Sequence, residues 1–208
     1  MKQPLGADGF ARLTGADPAQ IERLTAYFAI LERWQSRINL VGRSSLADPW
    51  RRHALDSAQL VPLLPPRPAR LADLGTGAGF PGLVLAILSD IEVTLVESDL
   101  RKCAFLAEAA RATGSDVQIR PVRIESDSPR AFDVVTARAL APLPHLLGLA
   151  WKWVAPQGVC LLLKGQAIEG ELTDAAKTWK MQAATIPSLS DPSGTVLKVE
   201  QLRERDDR

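Results

Sequence analysis

Leu71-Ala72-Asp73-Leu74-Gly75-Thr76-Gly77-Ala78-Gly79-Phe80-Pro81-Gly82 decides how this 208-residue chain folds. Apolar residues lead into an acid, then into glycines on alternate positions, then into a proline. A strand, a tight turn and a helix N-terminus need that order to bring backbone N–H groups against a nucleotide-like ligand. Glycine lets such a turn take positive φ and lets a ligand approach with no Cβ in the way. Pro81 suits the first helical position, where its missing N–H costs nothing. A reading in which the glycines serve only a tight strand–helix turn stands beside the binding one.

Downstream of the loop, short apolar runs alternate with helical patterns. Strands are predicted over 70–74, 92–97, 117–122, 132–136, 158–164, 181–186 and 196–202, and helices over 81–89, 99–113, 142–154 and 167–179. Strand–helix alternation implies right-handed crossovers and a parallel sheet covered on both faces. No helix separates the last two strands, only Pro187-Ser188-Leu189-Ser190-Asp191-Pro192-Ser193-Gly194, so they are expected to pair as an antiparallel hairpin at the end of the sheet.

Upstream, Asp17-Pro18-Ala19-Gln20 carries a capping-box start. Ile21, Leu24, Phe28, Leu31, Trp34 or Gln35, and Ile38 then recur at helical spacing. Asp48-Pro49 opens a second helix through Trp50, Ala54, Leu55, Ala58 and Val61, which the proline-rich run 62–68 ends. The chain therefore divides into a helical, basic N-terminal extension, residues 1–67, and an α/β domain, residues 68–208. The tail 203–208 is expected to fray.

Composition excludes several classes. Hydrophobic residues make up 46% of the chain, enough for a sizeable core. The longest apolar runs, 83–88 and 159–163, fall far short of the ~20 residues of a membrane span, and the N-terminus lacks an apolar signal region. Cys103 and Cys160 have no close-spaced partner, which argues against a disulfide framework or a metal cluster and for a reducing, cytoplasmic setting. A monomer is expected. The net charge of +1 means that any basic surface is local.

The glycine spacing also fits a dinucleotide pattern, so it leaves the ligand open. Glu97, ~20 residues on at the end of the second strand, is the acid expected on ribose hydroxyls, whether of NAD or of S-adenosylmethionine. Two features favour the methyl donor. Asp73, just before Gly75, can face an ammonium or sulfonium, whereas it would repel a pyrophosphate. The closing hairpin is the second, since it resembles the reversed last strand of Rossmann-like methyltransferases. After the third strand, Ile124 can cover an adenine face and Glu125 can sit near its exocyclic amine; an ordinary solvated loop acid is the alternative. Arg138, at the exit of the fourth strand, is costly to bury without an anionic partner and should face a ligand, a phosphate or a carboxylate.

No Asn/Asp-Pro-Pro-aromatic segment follows the fourth strand, and neither cysteine follows a proline at a strand exit. The first absence argues against methylation of exocyclic amines, and the second against covalent attack on pyrimidine C6. Guanine N7 fits better, because its lone pair carries no proton and its methylation needs no general base, nucleophile or metal. Arg33, Arg37, Arg43, Arg51 and Arg52 face the single acid Asp48 between residues 33 and 53, a footprint for phosphates. Trp34 and Trp50 within it are expected in the core. His53 and Asp56, one turn apart, read most simply as a hydrogen-bonded helix face.

Taken together, Asn39-Leu40, Arg52-His53-Ala54-Leu55-Asp56-Ser57, the 73–82 loop, Arg123-Ile124-Glu125, Arg138-Ala139 and Leu163-Lys164-Gly165 resemble the RsmG, or glucose-inhibited division protein B, family over nearly the whole chain. The family comprises bacterial 16S rRNA guanine-N7 methyltransferases. The resemblance implies a Rossmann-like class I methyltransferase that uses S-adenosylmethionine on a guanine N7 in the helix-18 loop of 16S rRNA, with the small ribosomal subunit or its precursor as partner. By motif it places Gly75, Phe80, Ile124, Glu125 and Arg138 in the cofactor pocket, to which the chemistry above adds Asp73, Gly77 and Glu97. It makes Arg52, His53, Asp56 and Lys164 candidates for positioning the substrate. Two rivals are an NAD-dependent oxidoreductase, which would bind a nicotinamide cofactor, and a cofactor-sensing RNA-binding protein, which would transfer no methyl group.

Overall fold

A computed structural model describes residues 3–66, 69–127 and 131–205. The expected boundary at 67/68 and the last three residues of the tail lie outside that range.

The chain opens with α1 (Ala7–Thr14) and α2 (Pro18–Gln35). The capping box forms as read: Asp17 accepts from the Gln20 amide at 2.8 Å, and Gln20 Oε1 accepts from the Asp17 amide at 3.0 Å. The helix ends before Ile38, because Gln35 folds its side chain onto the amides of Leu40 and Val41. The second expected helix is instead a π-helical turn, Trp50–Leu55, running into the short α3 (Asp56–Ala58).

The α/β part follows as β1 (Arg70–Leu74), α4 (Gly82–Leu88), β2 (Glu92–Val96), α5 (Leu100–Thr113), β3 (Val117–Arg120), β4 (Phe132–Arg138), α6 (Leu143–Trp151), β5 (Val154–Lys164), α7 (Ile168–Ala175), β6 (Trp179–Pro187) and β7 (Thr195–Glu204). The sheet order is β3-β2-β1-β4-β5-β7-β6. β1 to β5 pair in parallel, and β7 inserts antiparallel between β5 and β6. This is the Rossmann-like arrangement with a closing hairpin. Strand order reverses between β1 and β4, so the carboxyl ends of these two strands flank the crevice where such sheets bind ligands.

Successive residues of the central strands enter opposite layers of core, as strand geometry requires. Leu71, Val134 and Leu161 join α4 and α5 on one face, while Ala72, Val135 and Leu162 join α6 on the other. Among the described residues, the N-terminal extension has no separate core. Phe10, Leu24, Tyr27 and Leu31 pack into the first layer with Leu83 and Phe105, and the Tyr27 ring lies 5.2 Å from Phe80 and 6.3 Å from Phe105 between centroids.

Three boundaries differ from expectation for physical reasons. Pro81 caps α4 and Gly82 is its first residue, because the Gly82 N–H is taken by the Asp73 carboxylate at 2.9 Å. α6 stops at Trp151 so that Trp153, fully buried, can donate its indole N–H to the Ile124 carbonyl. α7 stops at Ala175, and Trp179 opens β6 with its indole N–H on the Pro144 carbonyl. Arg203 and Glu204, expected to fray, belong to β7. Among the described residues, no helix is long and apolar enough to cross a membrane.

Candidate functional site

The glycine loop leaves β1 with Gly75 at φ 61°. A Cβ there would lie 2.6 Å from Leu140 Cδ1, so glycine is needed both for the backbone turn and for the close approach of the segment after β4. Asp73 holds the loop from beneath. Its carboxylate accepts from Thr76 Oγ1 at 2.5 Å, the Gly82 amide at 2.9 Å and Thr136 Oγ1 at 2.8 Å, and it has no exposed surface. Burial pushes its pKa up to about 6, despite three donors that favour the ionised form. Asp73 was expected to face the cationic end of a cofactor. It is turned inward, and lines neither of the two cavities that meet at the loop. Three donors converge on it because β1, the loop and β4 close around one buried carboxylate.

The first cavity, about 350 Å³, brings together Gly75, Glu97, Ile124, Glu125 and Arg138. Glu97 is fixed by backbone donors, from Gly77 at 3.0 Å and Asp99 at 2.8 Å. Each oxygen keeps acceptor capacity, as hydroxyl recognition requires. The buried Ile124 offers an apolar wall and the exposed Glu125 an acceptor at the rim. These residue types fit an adenosine: a hydroxyl-reading carboxylate, an apolar face and a second acid.

The second cavity, about 590 Å³, is lined by Gly77, Phe80, Arg52, His53, Asp56 and Lys164 among others. The two cavities share Gly75, Arg138, Ala139 and Leu140. They meet at the carboxyl ends of β1 and β4, and Ala139 takes φ 50° where the chain turns out of β4.

Arg138 finds the carboxylate that its burial demanded. Its Nη1 donates to Asp56 Oδ2 at 3.3 Å, to the Arg52 carbonyl at 3.1 Å and towards His53 Nδ1 at 3.1 Å, and its guanidinium lies 5.0 Å from the Phe80 ring centroid. His53 stacks on the same ring, 4.6 Å away and inclined by 16°. Since His53 Nδ1 accepts from Arg138, its proton sits on Nε2, 2.9 Å from Ser45 Oγ. Burial first, then Arg138 and Arg52, depress its pKa to about 3. His53 is thus a neutral spacer with both nitrogens engaged. Lys164 is equally committed, donating to Glu171 Oε2 at 2.6 Å and the Ala141 carbonyl at 3.1 Å.

The hairpin turn between β6 and β7, read only as a connection, supplies the remaining wall. Ser190 Oγ donates to Asp56 Oδ1 at 2.6 Å, and Asp191 accepts from Arg52 at 2.6 Å. Asp191, Ser190 and Glu171 were missed. Asp191-Pro192-Ser193-Gly194 signals a turn, but nothing local says where that turn lands.

The basic segment is partly neutralised. Arg33 pairs with Glu108, Arg51 with Asp48 and Arg52 with Asp191. Arg37 and Arg43 are exposed and pair with no acid among the described residues. Trp50 packs on Phe28 and Phe10, and Trp34 on Phe105, so both are half-buried against the core rather than presented as stacking platforms. Burial pushes the Cys160 thiol up to about 12 and raises that of Cys103, so neither is poised as a nucleophile.

Comparison with known proteins gives this geometry its context. Curated relatives include the ribosomal RNA small subunit methyltransferase G of Paramagnetospirillum magneticum, 50% identical over 198 residues and covering 95% of this chain and 97% of that protein. The protein of the same name from Rhodospirillum rubrum is 49% identical over 195 residues, covering 94% and 97%. Among solved structures, the Thermus thermophilus 16S rRNA N2 G1207 methyltransferase RsmC, in complex with AdoMet and guanosine, superposes with a TM-score of 0.54 at 18% identity, over 72% of this chain and 39% of that one. A point mutant of MtNAS in complex with S-adenosylmethionine gives 0.59 at 15% identity, over 94% and 84%. At such identities these structures speak to the fold. The family model for rRNA small subunit methyltransferase G, GidB, matches residues 20–195, and this chain belongs to that family.

Proposed function

We propose that this protein transfers the methyl group of S-adenosylmethionine to N7 of a guanine in small-subunit rRNA, in the helix-18 loop of 16S rRNA. The observation that carries the reading is the pair of cavities meeting at Gly75, Arg138, Ala139 and Leu140. One has the residue types for an adenosine and the other is large enough for a purine, so a donor and an acceptor can meet at their junction. Family membership and the relatives' names support rRNA as the acceptor.

S-adenosylmethionine supplies an electrophilic methyl on a sulfonium. Gly75, Glu97, Ile124 and Glu125 would hold its adenosine, while Asp73 shapes the loop that Gly77 and Phe80 belong to. Arg138, fixed to Asp56, would keep the wall between the cavities in register. Arg52, His53, Asp56 and Lys164 would shape the acceptor side. An arginine fork on guanine N7 and O6 would block the reacting atom, and the tethering of Arg138 and Arg52 to acids supports a structural role for both. Catalysis is then positioning, with the methyl carbon and N7 held in line at near-attack distance. One chain supplies both cavities, which supports a monomer, and a ribosomal substrate supports a cytoplasmic enzyme.

The test is transfer of labelled methyl from S-adenosylmethionine to small subunits lacking the mark, with the product mapped by 7-methylguanine-specific strand scission. Labelling at one guanine N7 is expected. No transfer to subunits, naked rRNA or assembly intermediates overturns the reading.

A further inference from the structure

The acceptor cavity contains three carboxylates, and they are not equivalent. Asp56 uses Oδ1 for Ser190 and Gln59 and Oδ2 for Arg138. Asp191 uses Oδ1 for Ser193 and Oδ2 for Arg52. Glu171 differs. Its Oε2 accepts from Lys164 Nζ and from the Leu143 amide, both at 2.6 Å, while no hydrogen bond from the described residues reaches Oε1. The Lys164 side chain is 8% exposed, so one Glu171 oxygen is clamped by a nearly buried cation and a helix amide while the other stays available.

We propose that Glu171 is the residue that selects guanine, by accepting hydrogen bonds from N1–H and the 2-amino group of the target base. This rests on the guanine-N7 reading above and adds to it the residue that recognises the base. Guanine presents two adjacent donors on that edge, whereas adenine presents an acceptor at N1, so a carboxylate favours one purine over the other. The cavity lies at the exits of β4 and β5, through Arg138 and Lys164, and joins the cofactor cavity at Gly75 and Leu140. Lys164 therefore acts through Glu171, as a positioning residue.

Charge development strengthens the assignment. As the methyl carbon leaves sulfur and bonds to N7, the purine gains positive charge and its N1–H becomes a stronger donor. No proton needs to move. A carboxylate on that edge binds the transition state better than the ground state, which is the condition for accelerating the step. A carboxylate that served only to hold Lys164 would have no such dependence on the base.

The experiment uses the full chain and its Glu171→Gln variant, in two arms. In the first, GMP and IMP, which lacks the 2-amino group, are titrated into protein saturated with S-adenosylhomocysteine. In the second, kcat/KM is measured on small subunits reconstituted with guanosine or inosine at the target position. Wild-type protein is expected to prefer guanine by about 10-fold or more in each arm, the worth of the one charge-assisted hydrogen bond, from the 2-amino group, that inosine lacks. Glu171→Gln is expected to lose most of that preference while its S-adenosylmethionine affinity stays unchanged. Equal wild-type binding of GMP and IMP, or a preference that survives in Glu171→Gln, overturns the assignment. The nucleotide arm decides this even where subunits accept no methyl group, a result that would instead count against the proposed reaction.

Discussion

At the residue scale, Asp73 and His53 show how burial reassigns a side chain that its type alone would place in the chemistry. Asp73 reads from sequence as a partner for a cofactor cation, but its carboxylate is consumed by Thr76, Gly82 and Thr136. Asp73→Asn keeps the shape and an acceptor oxygen, and the Thr136 hydroxyl can turn to accept. It should leave S-adenosylmethionine affinity within about threefold of wild type, under 1 kcal/mol. Asp73→Ala strands three buried donors at about 1–3 kcal/mol each, and should weaken cofactor binding tenfold or more and lower the melting temperature. Calorimetric titration of both variants decides it, since equally deep losses would restore the direct charge role. The pH response separates the two groups further. Asp73 holds its proton more tightly folded than unfolded, so its contribution favours the fold below about pH 4 and is lost as pH rises through about 6. His53 runs the other way: the unfolded chain takes up a proton near the ordinary 6.5 that the folded protein refuses down to about 3. Its effect therefore erodes stability as pH falls through that window, by about 2 kcal/mol at pH 5. In urea melts at pH 7 and pH 5, His53→Gln should remove that much of the acid-induced loss. Identical pH responses in variant and wild type would mean that His53 protonates freely.

At the element scale, local chemistry was legible wherever an element is decided by its own residues. The β1–loop–α4 unit, the capping box at Asp17 and the strand alternation all follow from neighbours within a few positions. The helix ends before Trp153 and Trp179 do not, because both tryptophans fit the helical spacing and are withdrawn from it by partners 29 and 35 residues away. The π-turn at Trp50–Leu55 was equally hidden, since Trp50, Ala54, Leu55 and Ala58 satisfy an ordinary helix. The packing around the π-turn wins: Arg138 takes the Arg52 carbonyl and His53 stacks on Phe80. The loop's own demand is sharpest at Gly79, where φ is 89° and a Cβ would lie 2.7 Å from the Tyr27 hydroxyl and 3.1 Å from Leu106 and Leu83. Tyr27 cannot retreat easily, since it is fully buried and its hydroxyl donates to the Ala78 carbonyl. Gly79→Ala should cost about 2–4 kcal/mol in denaturant melts, from strain and overpacking together. Gly165→Ala, with nothing within 4 Å of its Cβ, should stay within about 0.5 kcal/mol. Equal costs at the two sites would mean that the loop relaxes around a side chain.

At the scale of the whole molecule, the site is a convergence that no local pattern announces. Arg138 reaches His53 across 85 residues, Ser190 reaches Asp56 across 134 and Asp191 reaches Arg52 across 139. The extension, the exit of β4 and the hairpin turn thus form one wall, and the candidate residues were identifiable from sequence while their partners were not. The same long-range pairing reshapes the basic segment. Five arginines counted along the chain suggest five phosphate contacts, but Arg33, Arg51 and Arg52 already have acids, which leaves Arg37 and Arg43 as exposed cations without one among the described residues. On a chain of net charge +1, those two should carry a disproportionate share of RNA attraction. Each phosphate contact releases condensed counterions and steepens the fall of log K with log salt by about 0.7–0.9. Replacing Arg37 and Arg43 together by alanine should therefore flatten the slope for small-subunit rRNA by about 1.4–1.8. Arg33→Ala should flatten it less than either single replacement, because RNA must first displace Glu108 to use that guanidinium. Binding isotherms across a salt series, with protein and RNA held constant, read this directly. An unchanged slope in the double variant, or a larger effect from Arg33, would move the RNA path off this face of the extension.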